Sequence, residues 1–347
     1  MWWLLSPIFS TAMLYAVRAL EEYKYISQEC INITDCSVCI DSINNNWYDT
    51  SKCLPIVPSL YTDEEDTSST KTITCASSKT VDSKKYSIDF NCSNDSLSQE
   101  TKVQIADLRY MVKWALYSYS ASASDNLLSD MVIIENIKLE SRAVLGYDKS
   151  RNYIIASFRG SSTLQNWISD FNFPLIDYTR TGCSSCSVHT GFLNSYSSIS
   201  SSVLSTLSLL HNKYPQGTVA VTGHSLGGAQ AVLGAIDIQL AGYTTHLYTY
   251  GCPRVGNENF VNFLNSEINA ANIRGVYLFD PVPNLPPIAF KYYHGGTEIH
   301  FYNCNDYLAY PKFSDEAEMI DLLAVGDHSK YNCTYLGVED SRFILDY

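Results

Sequence analysis

Little of this sequence is cationic: Lys and Arg number 23 in 347 residues, against 36 Asp and Glu, and the formal net charge is −13. No basic run exceeds the pair Lys84-Lys85. Nucleic-acid binders depend on clustered positive charge to displace counterions from phosphates, so no nucleic acid is expected as a partner. Charged residues of both signs make up only 17% of the chain. Its polarity comes from Ser, Thr, Asn and Tyr, as is common in extracellular proteins. Long hydrophobic runs are also missing. After the first twenty residues no stretch approaches the eighteen consecutive apolar residues of a membrane-spanning helix. No internal repeat is visible. What is present, 46% hydrophobic and 13% aromatic residues, suffices for one large core or two smaller ones and excludes a disordered chain.

Residues 1–17 carry no charge, and the apolar stretch is short, interrupted by Ser6 and Pro7, and followed by Arg18, Glu21 and Glu22. This pattern reads as a secretory signal peptide over 1–19, with Val17 and Ala19 at the positions a signal peptidase inspects; a signal anchor is the alternative. Eleven cysteines agree with an oxidising compartment. Six of them (Cys30, Cys36, Cys39, Cys53, Cys75, Cys92) precede residue 95, and their pairing stays open. Cys183 and Cys186 are placed to close a small loop, Cys304 and Cys333 are plausible partners, and Cys252 remains single on a strand-to-helix turn that reads as buried. The two C-x-x-C pairs lack a second half at zinc-site spacing, so no zinc site is expected there, and no other metal or cofactor is expected. Sequons at Asn32, Asn91, Asn94 and Asn332 are consistent with secretion.

Composition divides the mature chain near residue 100. Residues 20–99 hold the cysteine cluster, Pro55, Pro58, the acidic run 63–66 and few apolar runs, so disulfides would have to hold this module together. Its Cys30, Cys36, Cys39, Trp47, Cys53 spacing resembles the small cysteine-rich modules of the plexin-semaphorin-integrin type. From 100 to 347 the pattern changes. Val103, Leu108, Met111, Val112, Ala115 and Leu116 predict a long amphipathic helix. Strands are expected over 131–139, 141–148 and 152–160, then a helix over 194–213, a strand over 218–223, a helix over 226–239, a strand over 246–251, a helix over 258–269 and a strand over 274–280. Alternating strands and helices indicate an α/β fold with a mostly parallel central sheet.

Gly223, Ser225 and Gly227 form G-x-S-x-G between a β-branched strand and a helix that begins with small residues. In that context the serine stands on a strained elbow at the sheet's edge, and the helix N-terminus aims backbone N–H groups at a developing oxyanion. A tight turn without chemistry is the alternative. A serine nucleophile needs an imidazole and an orienting carboxylate, and hydrolases built on this elbow supply them in the order Ser, Asp, His. Asp280, expected to close the strand over 274–280 beside the Pro-rich loop 281–287, is the candidate acid. His328, in a late loop, is the candidate base. His294 and His300 also follow Asp280 but read as structural; His189 and His224 read as packing or positioning residues.

The segments FRGSSTLQNWISDFNF, C-x-x-C, VHTGF, VTGHSLGGAQA, YGCPRVGN and DPVPNLPP together resemble the fungal-type secreted lipases of the class 3 lipase family, over about residues 100–340. The resemblance implies an α/β-hydrolase fold and a triad of Ser225, Asp280 and His328. It further implies oxyanion donors at Ser161 and Leu226, and a lid carrying Leu164, Trp167 and Ile168 that would meet a lipid surface transiently. The chain departs from the family at Cys252, where alanine is usual, at Gln230, where an apolar residue is usual, and around His328, where the match is poor. The activity implied is a triacylglycerol lipase with a lipid or ester substrate at an interface. A phospholipase A1 or feruloyl-type esterase on the same fold is the alternative, and a secreted binding protein without catalysis is the rival from another class.

Overall fold

The computed structural model describes residues 99–161, 174–278, 280–301, 307–310 and 325–331, with six short strands ahead of them. The expected signal peptide, the sequons, the lid residues Leu164, Trp167 and Ile168, and the Cys304–Cys333 pair lie outside the described residues. Contacts group the chain into two units. The first, Met1–Ser69 with Met319–Leu322, contains an antiparallel sheet of β1 (Cys39–Ile40), β2 (Trp47–Asp49) and β3 (Leu54–Ile56). The second, Thr70–Glu318 with Leu323–Tyr347, opens with the small sheet of β4 (Thr72–Ile73), β5 (Lys79–Ser83) and β6 (Tyr86–Phe90) and contains all that follows.

Its body is an eight-stranded sheet. Chain order brings α1 (Gln99–Ser120), β7 (Ser129–Asn136), β8 (Ser141–Asp148), β9 (Tyr153–Phe158), the hairpin strands β10 (Leu175–Asp177) and β11 (Ser187–His189), α2 (Thr190–Ser197) and α3 (Ser200–Lys213). There follow β12 (Thr218–His224), α4 (Leu226–Leu240), β13 (Thr245–Tyr250), α5 (Glu258–Glu267), β14 (Ala271–Tyr277), β15 (Thr297–Phe301), β16 (Tyr307–Tyr310) and α6 (Val325–His328). The spatial order is β16-β15-β14-β13-β12-β9-β8-β7. Strands β9, β12, β13, β14 and β15 pair in parallel; β7, β8 and β16 add antiparallel edges. This is the expected mostly parallel α/β sheet, and among the described residues no helix is long and apolar enough to cross a membrane.

Alternation along the strands explains the layering. On β12, Val219 and Val221 face a core shared with α2, α3, α4 and α5, whereas Ala220 faces a second core built on α1 and holding Leu108, Met111, Val112 and Ala115. The central strands are therefore covered on both sides, and their ends are where irregular backbone can carry chemistry. Among the boundaries that differ from the sequence expectation, three involve a turn or a break in an element. The helix expected over 194–213 is interrupted at Ser198 and Ile199. Residues 137–139 form a 3₁₀ turn capped by Asn136, whose side chain accepts from the N–H groups of Lys138 and Leu139. The strand expected over 274–280 ends at Tyr277, because Leu278 adopts a φ of 46° that leaves the ladder.

Candidate active site

Ser225 occupies the single residue between β12 and α4, with φ 60° and ψ −133°. A non-glycine residue in that region is strained and needs surroundings that hold it there. Its N–H donates to the Tyr250 carbonyl at 2.9 Å, tying the turn to β13. The flanking glycines are dictated by space: a Cβ on Gly223 would overlap the Gly227 carbonyl, and one on Gly227 would overlap the Phe158 carbonyl at the end of β9. Ser225 is buried, and its Oγ has no hydrogen-bond partner.

Asp280 is reached by the sharp turn after β14 rather than by the strand itself. Leu278 N–H donates to the Phe301 carbonyl at 2.8 Å and Asp280 N–H to the Tyr277 carbonyl at 3.1 Å. The carboxylate is fully engaged. Val282 N–H donates to Oδ1 at 2.9 Å, while His328 Nδ1 (2.8 Å) and the Tyr331 hydroxyl (2.6 Å) both donate to Oδ2. Because a carboxylate can only accept, the bonding assigns the proton of neutral His328 to Nδ1 and leaves a lone pair on Nε2. That Nε2 is buried without a partner, as is Ser225 Oγ. The structure thus brings a serine hydroxyl and an imidazole acceptor to the same end of the sheet, with the imidazole oriented from behind by a buried carboxylate.

The other histidines are occupied elsewhere. His294 Nε2 donates to the Pro283 carbonyl at 2.7 Å, and burial holds this imidazole well below its ordinary pKa of 6.5. His300 Nε2 donates to the Leu278 carbonyl at 2.8 Å, with Nδ1 3.1 Å from buried Glu298. His189 Nδ1 accepts from Gly191 and Phe192 N–H groups as the N-cap of α2. His224 Nε2 donates to the His328 carbonyl at 2.8 Å.

Ser161 is buried just past β9, and the preceding Gly160 lies so close to the elbow that a Cβ on it would stand 3.0 Å from the Cβ of Ser225. Leu226 opens α4, where backbone N–H groups have no intrahelical acceptor. Cys183 and Cys186 form a disulfide, and Cys252 is a free, buried thiol that burial pushes up to about 12.

Three contributors are given no role by the sequence reading. Tyr331 links Asp280 to β14, since its hydroxyl also accepts from Tyr277 N–H at 3.0 Å. Arg254, wholly buried, donates through Nη1 to the Asn284 and Pro286 carbonyls at 2.7 and 2.9 Å and so holds the Pro-rich loop beside Asp280. Gly251 turns at φ 52° against the acid–base pair. Each partner is 29 or more positions away, beyond the reach of any periodicity argument.

Comparison with known proteins gives a consistent answer. The profile of the family described as Lipase (class 3) matches residues 155–290. A secreted mono- and diacylglycerol lipase 1 of Fusarium solani is 40% identical over 156 residues, 45% of this chain and 46% of that one. A lipase of Rhizomucor miehei is 34% identical over 215 residues, 57% of this chain and 58% of that one. The chain therefore spans about half the length of the curated relatives it matches. Among solved structures, a triacylglycerol lipase described as having a serine protease triad at its catalytic centre superposes with a TM-score of 0.59 at 31% identity, covering 66% of this chain and 94% of that one.

Proposed function

This chain belongs to the class 3 lipase family, and from that premise we propose that it is a secreted serine ester hydrolase, a triacylglycerol lipase releasing fatty acids from acylglycerols. The observation that carries the reading is the buried Asp280–His328 pair behind the strained Ser225, with Nε2 of the imidazole left as an acceptor. Ser225 Oγ attacks the ester carbonyl carbon while its proton passes to His328 Nε2. Asp280 holds the imidazolium that forms. The tetrahedral intermediate collapses as the same proton moves to the leaving alkoxide, and the acyl group stays on Ser225. Water, deprotonated by His328, then releases the fatty acid and restores the hydroxyl. Backbone N–H groups of Ser161 and Leu226 receive the oxyanion; loss of one such donor typically costs about 10² to 10³ in rate. Leu164, Trp167 and Ile168 supply the apolar surface that meets lipid.

Secretion is supported by the leader pattern over 1–19, the Cys183–Cys186 disulfide and the secreted relatives. The name of the Fusarium relative favours a second reading, preference for partial glycerides. One experiment addresses both: fatty-acid release by the purified secreted protein from emulsified tri-, di- and monoacylglycerols, beside Ser225→Ala. Serine-dependent release from the triacylglycerol supports the first reading. Release confined to the di- and monoacylglycerols supports the second, and release by Ser225→Ala at the wild-type rate overturns both.

A further inference from the structure

His328 closes the four-residue helix α6, so its own carbonyl has no intrahelical donor, and the residue is wholly buried. A buried carbonyl at a helix end must find a partner from outside. The partner is the residue immediately before the nucleophile. His224, the last residue of β12, donates Nε2–H to that carbonyl at 2.8 Å, with the two imidazole rings 4.4 Å apart between centroids. Since a carbonyl only accepts, the proton of His224 sits on Nε2, and Nδ1 presents its lone pair to the hydroxyl of Tyr119 at 3.0 Å. Tyr119 stands near the end of α1 with its hydroxyl against Gly160, in the turn that leads to Ser161.

We infer that His224 is a positioning residue for the base: its Nε2–H anchors the backbone of His328, and Tyr119 fixes the tautomer that makes this possible. The inference rests on the hydrolase reading above. Asp280 orients the ring of His328 from one side, and His224 sets where the backbone carrying that ring stands. Nucleophile and base, 103 positions apart, are thereby coupled through a side chain one residue from Ser225. His224 stays neutral while its neighbour cycles through imidazolium, which keeps Nδ1 an acceptor for the Tyr119 hydroxyl. Complete burial and the nearby charge of His328 both hold its pKa well below 6.5. Tyr119 contributes the second half of the device. The opposite tautomer would set the Nδ1 proton toward the tyrosine and turn the Nε2 lone pair on the His328 carbonyl, losing the anchor.

The test compares His224→Gln, whose amide N–H can reach about where Nε2–H stood, with His224→Leu and Tyr119→Phe in the full secreted chain. The readouts are kcat and KM on a soluble short-chain ester, active-site titration with an organophosphate, and the low-field proton resonance of the His328–Asp280 hydrogen bond. Misplacing a catalytic group by about 1 Å can cost on the order of 10² in rate. His224→Leu is accordingly expected to lose about 10- to 100-fold in kcat per titrated site with KM within about two-fold, and to broaden the resonance. His224→Gln is expected to recover most of both, and Tyr119→Phe to fall between them. Equal loss in His224→Gln and His224→Leu, or a loss that disappears once rates are normalised to folded protein, overturns the inference. Absence of ester hydrolysis in the wild type overturns the hydrolase reading instead, and the resonance still reports whether His224 anchors His328.

Discussion

His328 and Asp280 meet with neither side chain exposed to solvent, Nδ1 to Oδ2 at 2.8 Å, although 48 positions separate them. Replacing Asp280 by Asn keeps the shape but substitutes an amide that can donate where only an acceptor serves. The imidazole then favours the tautomer with its proton on Nε2, the wrong side for a base. Asp280→Asn is expected to lower kcat about 10⁴-fold, as the equivalent change does in other serine hydrolases, with little change in far-UV circular dichroism. A loss below about ten-fold on a soluble ester would remove Asp280 from the mechanism.

Tyr331 shares the same oxygen of Asp280 at 2.6 Å and receives Tyr277 N–H. Tyr331→Phe removes a hydrogen bond to a charged group and strands a backbone donor, so a loss of about 1.5 to 3 kcal/mol in urea unfolding is expected. An unchanged midpoint would show that the hydroxyl is dispensable to the fold.

Gly251 carries a positive φ of 52°, and a Cβ there would stand 2.7 Å from Asp280 Oδ2 and 2.8 Å from His328 Cε1. Both atoms are already fixed by hydrogen bonding in a closed interior. Gly251→Ala should therefore damage catalysis more than folding: about 10²-fold in kcat from displaced chemistry, against about 1 to 3 kcal/mol of backbone strain. Parallel kinetics and thermal melts measure the ratio, and full activity in a stable variant would contradict the packing.

Burial holds His224 and His294 well below 6.5, so both stay neutral in the native protein while the unfolded chain takes up protons. The unfolded state then binds more protons below pH 6.5, and stability falls as pH drops through that value toward the native pKa values. The slope is about 1.4 kcal/mol per pH unit for each histidine. Melting temperature measured from pH 7.5 to 5 should decline below 6.5, and His294→Gln should make the decline shallower. A flat profile over that interval would show that these imidazoles titrate normally.

Cys252 is wholly buried, and its thiol is pushed up to about 12. Only the thiolate is a nucleophile, so folded protein at pH 8 should resist iodoacetamide at this position and react once unfolded. Mass spectrometry of the alkylated peptide reports this directly. Rapid labelling in the folded state would mean that the turn after β13 opens.

Local chemistry was enough to read much of this protein from its sequence. The elbow at Ser225 was legible because glycine at 223 and 227 is required by backbone approach, and a β-branched strand must precede the turn. The α/β class was legible because strand and helix patterns alternate along the chain. Asp280 was found by its place after a strand, yet the strand ends three residues earlier, since the left-handed turn at Leu278 depends on a hydrogen bond to Phe301 that no local pattern announces. Tertiary structure alone decided that Tyr331 reinforces Asp280. It alone decided that His224 and Tyr119 stand behind His328 and that Arg254 grips the Pro-rich loop. These relations join residues 30 to 105 positions apart through one or two hydrogen bonds each. Hydrogen-bond partners at such separations follow from the order of the strands in the sheet and from its two cores, which periodicity along the chain does not encode.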